Sequence, residues 1–352
     1  MAWETRTAMP MAHYGMLHAA VGGKIYVVGG YLNTTVVYEY DPVLNTWASK
    51  AASIVSCWDN GATERSGTLV VVANNDTNEF RVYTPGTNSW SIIADSPATA
   101  TSHIYGWMAT DASANIYQGG GDSTAIHRWD GAAWTSTVNT MPTAWRGQKA
   151  LLGYNNKIYI VGGINGATAT PNLYEYAPTT APAALTALPS ARYNGGWAHS
   201  APWFYYCGGV VGGVASNDVV RYDITLNAWT AMEDMPYAVH LLAAAAVSNK
   251  LYVIGGLAAG DVTHSAVYRT DAGYDELSAT IESEAEVWPF PSLALTSEAG
   301  AELLSDFSIT YRGGVENDSF MNVGSTGDVS FDSLFPATDL YPDTTLYPAG
   351  DW

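Results

Sequence analysis

Two arginines and three histidines are the first residues here that could do chemistry: Arg146, Arg192, His13, His103 and His240. Each stands sixteen residues ahead of the first residue of a recurring Gly-Gly pair, with His240 one place off, and Cys57 holds the same place in a degenerate copy. Aromatic residues sit beside them: Tyr14, Trp58, Tyr105, Trp145, Tyr193 and Trp197. Arginine forks pair with carboxylates, and indole and phenol faces stack on sugar rings or cations. Gathered round one concave mouth, such groups would bind an anionic or sugar ligand. The candidate ligand set is therefore His13, Tyr14, Trp58, His103, Trp145, Arg146, Arg192, Tyr193 and His240. A structural role competes with it, because most Arg and His side chains near loops satisfy local backbone groups.

Catalytic and metal chemistry find less support. His13, His103 and His240 fall in the first, third and sixth copies of the repeat, too far apart to share one zinc ion at about 2.1 Å. The chain has two cysteines, Cys57 and Cys207, in well-separated copies, which excludes a disulfide scaffold and any Cys-rich zinc site. Nucleophile elbows, phosphate-cradling glycine motifs and paired-carboxylate motifs are missing. Glu64 and Asp59 are the acids that follow the ring position, both in the second copy. No catalytic residue, metal or cofactor is assigned.

A repeat must place these residues. The runs IYVVGG (25–30), IYQGG (116–120), IYIVGG (158–163), FYYCGG (204–209) and LYVIGG (251–256) recur, with LVVVAN (69–74) as the degenerate copy. Their reference residues, Gly29, Ala73, Gly119, Gly162, Gly208 and Gly255, are 44, 46, 43, 46 and 47 residues apart. A polar loop, a Val/Tyr strand and a Trp on the next strand follow: Trp47, Trp90, Trp134 and Trp229, with Leu185 in the fourth copy. Proline follows at Pro97, Pro142, Pro189 and Pro236. Four short strands at this period describe a propeller blade. The order diglycine, Tyr-Asp, Trp, Pro resembles the kelch repeat, over roughly residues 1–273. That resemblance implies an all-β, six-bladed kelch-type propeller. Trp3 precedes Gly29 by 26 residues, as Trp47 precedes Ala73 and Trp229 precedes Gly255. Residues 2–6 thus read as the outer strand of the sixth blade, closing the ring; Tyr274 or Leu277 is the rival for that place.

The propeller is assigned to residues 1–275. Residues 276–333 read as a small acidic β-rich module, with alternation at Leu277, Ala279 and Ile281 and again at Phe307, Ile309 and Tyr311. The last stretch, 334–352, repeats as LFPATD, LYPDTT and LYPAGD before Trp352. Each proline holds the residue before it extended. Such a peptide builds no core, so Leu334, Phe335, Leu340, Tyr341, Leu346, Tyr347 and Trp352 are expected to dock on a partner. This ending resembles the Leu-Tyr-Pro or Phe-Pro-rich C-termini of tail proteins of long-tailed bacteriophages.

The chain has 352 residues, 14 Lys+Arg against 33 Asp+Glu and a net charge of −19. Residues 271–352 carry 16 of those acids and one base, Arg312, so the repeat region is close to neutral. An acidic chain offers no footprint for nucleic-acid phosphates. No run of 18 apolar residues occurs, and the N-terminus shows no signal-peptide pattern. The resulting expectation is a non-enzymatic virion protein of a tailed phage, a minor tail or tail-tip protein. Its propeller would meet a host glycan or protein, its C-terminal region would bind other virion subunits, and a homo-oligomer within the virion is compatible with this expectation. The alternative is a bacterial sugar-binding kelch protein, or an isomerase resembling six-bladed sialic-acid mutarotases, with Arg146 and Arg192 clamping a carboxylate. A galactose-oxidase-like copper site would need a Cys–Tyr crosslink, for which Cys57 beside Trp58 is the sole hint.

Overall fold

The computed structural model describes residues 2–31, 35–53, 57, 60–72, 79–95, 106–153 and 155–272, together with four strands beyond residue 280. It divides into two units, Met1–Gly273 and Tyr274–Trp352. No helix occurs among the described residues.

The first unit contains six four-stranded antiparallel sheets. The first sheet shows how the sequence builds one. Leu17–Val21 and Lys24–Val28 form a hairpin across Gly22-Gly23, both at positive φ. Val37–Asp41 pairs next, and Thr46–Ser49 is outermost. The second strand is fully buried on both faces, which is why IYVV reads as a continuous apolar run. The last turn is set by Asn45 at φ 56°, whose side-chain oxygen accepts from Tyr40 Oη at 2.7 Å. Asn88 and Asn227 repeat that turn with Tyr83 and Tyr222.

The first strands of successive sheets lie side by side: Leu17–Val21, Ala62–Arg65, Gly106–Thr110, Lys149–Leu152, Gly196–Ser200 and Ala243–Val247. Ala243–Val247 also touches Leu17–Val21. Buried clusters occupy the spaces between neighbouring sheets. One joins Tyr159, Leu173 and Leu188 of the fourth to Phe204 and Tyr222 of the fifth, and another joins Ile25 and Tyr40 of the first to Tyr252 and Val267 of the sixth.

The sixth sheet is completed by Glu4–Arg6, which pairs with Val267–Asp271 in the register Glu4↔Arg269, Thr5↔Tyr268, Arg6↔Val267. Trp47, Trp90 and Trp229 each donate an indole N–H to the linker entering their sheet, at Thr7, Ala51 and Thr186 (2.8–2.9 Å). Trp3 donates likewise to Glu233 O at 3.2 Å. Trp3 is thus the tryptophan of the sixth sheet, and the rivals Tyr274 and Leu277 lie outside the described residues. Leu185, in the fourth copy, fills the wedge position by packing in the cluster with Tyr159 and Trp197.

In the second unit the strands Ile281–Glu282, Phe307–Arg312, Ser319–Val323 and Val329–Phe331 form a four-stranded sheet in chain order. Its first pair is parallel. Residues 334–352, with Leu334, Phe335, Leu340, Tyr341, Leu346, Tyr347 and Trp352, lie outside the described residues.

Each diglycine turns the chain out of its sheet and reaches the next one. Gly30 N donates to Cys57 O, Gly121 to Trp145 O, Gly163 to Arg192 O, Gly209 to Val239 O and Gly256 to His13 O, all at 2.9–3.1 Å. The last of these runs from the sixth sheet to the first. Gly209 has φ 91°, and a Cβ there would meet Tyr193 O at 2.7 Å. Gly209→Ala is expected to cost about 2 kcal/mol or more, from strained φ plus the clash. Gly212→Ala supplies the control, since its φ is also positive (59°) but it faces open space. Urea unfolding of the two variants checks this; equal losses would remove the packing argument.

Candidate functional site

The inter-sheet bonds fix the true register of the sequence candidates. The carbonyls that accept from the diglycines belong to His13, Cys57, Trp145, Arg192 and Val239. In the fourth sheet that position is Trp145, so Arg146 is one place further on. It matches His240, whose spacing is also offset, and also Tyr14 and Tyr193. The backbone agrees: Arg146 bridges Ile164, His240 bridges Leu257 and Tyr193 pairs with Val210.

This shift divides the candidates by burial. His13 and Arg192 are 0% and 1% exposed, so they sit between sheets and do not open on a mouth. Burial holds the His13 pKa below the usual value. Arg192 donates to Ser190 Oγ and to Asp218 Oδ2 (3.2 Å) and lies over the Tyr206 ring. Arg146 is exposed, and its Nε donates to Asp122 Oδ1 at 2.6 Å while Nη2 donates to Oδ2. The expected two-arginine clamp is therefore not formed: one guanidinium is locked in the core, and the other is neutralised by a carboxylate from the preceding sheet. Trp145, Tyr193 and His240 are half-buried. Trp197 is buried, stacked on Phe204 at 4.7 Å. Trp58, His103 and Tyr105 lie outside the described residues.

The residues after the entry position build a floor. Gly15, Gly147, Asn194 and Leu241 all have φ between 55° and 66°. Asn194 N donates to Gly147 O, Leu241 N to Asn194 O and Gly15 N to Leu241 O. This backbone chain links the fourth, fifth, sixth and first sheets. Above it opens a cavity of about 630 Å³. Its lining includes Tyr31, Asp122, Arg146, Asn165, Asn194 and Leu241. Tyr31 stacks on Tyr14, with ring centroids 4.9 Å apart and planes within 10°. Arg146 holds the Asp122 carboxyl below its ordinary pKa.

The rim is uneven. The fourth, fifth and sixth sheets carry short hairpins after their diglycines: Ile164–Asn165 with Thr168–Ala169, Val210–Val211 with Val214–Ala215, and Leu257–Ala258 with Val262–Thr263. Val214 and Val262 are exposed on the fifth and sixth hairpins. The repeat pattern reads these segments as polar loops.

Of the sequence candidates, Arg146 lines the cavity directly, and Tyr14 supports Tyr31. Tyr31, Asp122 and the two asparagines were missed. Tyr31 and Asp122 each immediately follow a glycine pair, Gly29-Gly30 and Gly120-Gly121. Reading outward from the diglycine, as well as back from it, would have found them. Among the described residues no group of three His, Cys, Asp or Glu is placed to hold a metal ion, and no helix is long and apolar enough to cross a membrane.

Residues 12–51 match the family model of the Kelch motif. The chain is 29% identical to Kelch-like protein 23 of Mus musculus over 107 residues, covering 29% of this chain and 19% of that protein. It is 25% identical to Kelch-like protein 36 of Rattus norvegicus over 269 residues, covering 67% of this chain and 43% of that protein. The chain thus matches less than half the length of either relative. A solved structure titled "Structure of YjhT" superposes with a TM-score of 0.66 at 14% identity, over 77% of this chain and 98% of that one. These likenesses support a kelch-repeat protein with an all-β, propeller-like fold.

Proposed function

We propose that the first unit is a closed six-bladed kelch propeller and that the protein is a non-enzymatic binding protein, taking its ligand in the cavity at the mouth. The observation that carries this is the Arg146–Asp122 pair beside the Tyr14–Tyr31 stack in that cavity. A bidentate ion pair presents N–H donors and carboxylate acceptors in one plane, with no net charge. Flanked by the amides of Asn165 and Asn194 and by an aromatic face, it suits a neutral polyhydroxylated ligand, such as the sugars of a surface glycan. Binding at kelch propellers commonly means a protein partner, and the apolar hairpin tips at Val214 and Val262 suit the flank of one.

The alternative, an isomerase acting on an anionic sugar, rests on Arg146 and Arg192 meeting one carboxylate, which their placement does not favour. The finer assignment, a virion tail protein, is supported by the Leu-Tyr-Pro repeat at 334–352 and by the acidity of residues 276–333. In that reading the C-terminal region docks on virion subunits and the propeller faces the host. Mass spectrometry of a purified virion tests it, and absence of this chain overturns it.

A glycan array followed by calorimetry tests the mouth. Arg146→Ala and Tyr31→Ala are expected to weaken neutral-glycan binding by about 10-fold or more, since a charge-assisted hydrogen bond contributes about 1.5–3 kcal/mol. Arg192→Lys should leave binding unchanged. Preference for sialylated glycans, lost with Arg192→Lys, would favour the alternative.

A further inference from the structure

One residue breaks the pattern in the floor of the mouth. Gly15, Gly147, Asn194 and Leu241 share one backbone conformation, with φ between 55° and 66°. Glycine adopts it freely and asparagine tolerates it. A leucine there sets its Cβ too close to the following carbonyl oxygen. Among the described non-glycine residues at positive φ, Leu241 has the one apolar side chain larger than alanine's. Hydrogen bonds from both sides impose the conformation. Leu241 N donates to Asn194 O at 2.7 Å, and Leu241 O accepts from Gly15 N at 2.8 Å. A strained residue persists where its surroundings over-determine it, and such residues cluster at ligand sites.

The core does not ask for this leucine. Leu242, the next residue, is 2% exposed and packs in the cluster between the fifth and sixth sheets. Leu241 is half-buried and belongs to none of the buried clusters among the described residues. It lines the mouth cavity together with Tyr31, Asp122, Arg146 and Asn165. Asp122 comes from the third sheet, and Arg146 and Asn165 from the fourth. Tyr31 and Leu241 come from the first and sixth, which stand opposite those two in the closed ring of six proposed above. The cavity thus sets an ion pair on one side against an aromatic ring and a branched aliphatic side chain on the other.

We infer that Leu241 is a specificity-determining residue of the mouth and that it receives the methyl group of a neutral sugar, from a 6-deoxy or an acetamido substituent. This rests on the reading of the mouth as a site for neutral sugars. The hydroxyls of the sugar meet the Arg146–Asp122 pair, and its methyl group meets Leu241. A hydroxymethyl group in the same place gives up water for an apolar wall, so the parent sugar binds less tightly. Burial of one methyl group corresponds to about 4-fold in affinity.

Calorimetric titration of the full chain with 6-deoxygalactose against galactose, and with N-acetylglucosamine against glucose, tests this and separates the two sources of the methyl group. One methyl-bearing sugar should bind tighter than its parent by at least that factor. Leu241→Asn, which installs the residue type of the fifth sheet, should erase the preference and raise the melting temperature by roughly 2 °C, because the strain at φ is relieved. Leu241→Ala keeps the strain and removes the apolar contact, so it should erase the preference without the gain in stability. Equal affinities within both sugar pairs, or a preference that survives Leu241→Asn, would overturn the assignment. Should Arg146→Ala still weaken sugar binding in that case, the mouth reading stands and the role of Leu241 alone falls. Should no neutral sugar bind, both fall together. A lower melting temperature for Leu241→Asn would show that the fold itself uses this side chain, and would also overturn the assignment.

Discussion

Removing residues 1–8, so that the chain begins at Met9, lowers the melting temperature by about 10 °C or more. The segment holds two sheets at once. Glu4–Arg6 forms the outer strand of the sixth sheet. Trp3 donates to Glu233 O and packs against the buried cluster that contains Val253, while Glu4 pairs with Arg269. On the other side Arg6 reaches Tyr40 Oη and Pro42 O, and Thr7 N donates to Asn45 Oδ1 at 2.9 Å. The Thr7 carbonyl accepts the indole N–H of Trp47. Four or five net hydrogen bonds at about 1 kcal/mol each, with the lost packing of Trp3, come to about 5 kcal/mol or more. In a domain of this size each kcal/mol moves the midpoint by roughly 2–4 °C.

The same deletion bares the edge of Val267–Asp271, and an unpaired strand edge invites pairing between chains. A synthetic peptide of residues 1–9 added in trans should therefore raise the midpoint of the shortened chain, by β-strand addition to that edge. Scanning calorimetry with and without the peptide decides. An unchanged midpoint after deletion would mean that Glu4–Arg6 is dispensable and that the sixth sheet is sufficient with three strands.

Why this closing strand was readable, while much of the mouth was not, follows from the physics of each position. The diglycines announce themselves because the chain passes close to the neighbouring sheet at φ values that suit glycine: a Cβ on Gly30 would stand 2.9 Å from Tyr14 O. The tryptophans announce themselves because each must reach a linker carbonyl at a fixed distance along its sheet, and Trp3 obeys the same spacing. The ligand-facing residues obey no such constraint. Whether Arg146 or Trp145 takes the carbonyl position depends on a one-residue difference in loop length, and that difference sends one side chain into solvent and the other inward. The partner that neutralises Arg146 is 24 residues away in sequence, on the preceding sheet. A pattern read within one repeat does not see a pair formed between two. The hairpins at 164–169, 210–215 and 257–263 escaped for a related reason: their strands are two residues long and pair mainly with one another.

Stability should also fall steeply as the pH drops from about 6.5 to 4, and the cause is histidine, ahead of any carboxylate. Burial presses His18 and His199 down to about 4, and lowers His13, whose ring nitrogens both lack a partner. The unfolded chain titrates its histidines near 6.5. Groups whose folded pKa is depressed from 6.5 bind fewer protons folded than unfolded in this window. Stability is therefore full above about 6.5 and is lost as the pH falls toward 4. Each of His18 and His199 accounts for about 2–3 kcal/mol, since one pKa unit is about 1.4 kcal/mol. The damage from His18 is directed: its Nε2 accepts the Ala244 N–H from the sixth sheet, so protonation removes the acceptor and sets a second cation against Lys149. The junction that Glu4–Arg6 closes from outside is thus loosened from inside by acid. The depressed carboxyls, such as Asp41 and Asp122, titrate below this window and add their own loss only at lower pH. Urea unfolding at pH 7, 5.5 and 4.5 reads the slope, and His18→Gln, which keeps a side-chain acceptor but carries no titratable proton, should flatten it by about one proton. A stability that stays level from pH 6.5 to 4.5 would show that these imidazoles take up their protons in the folded sheets without cost.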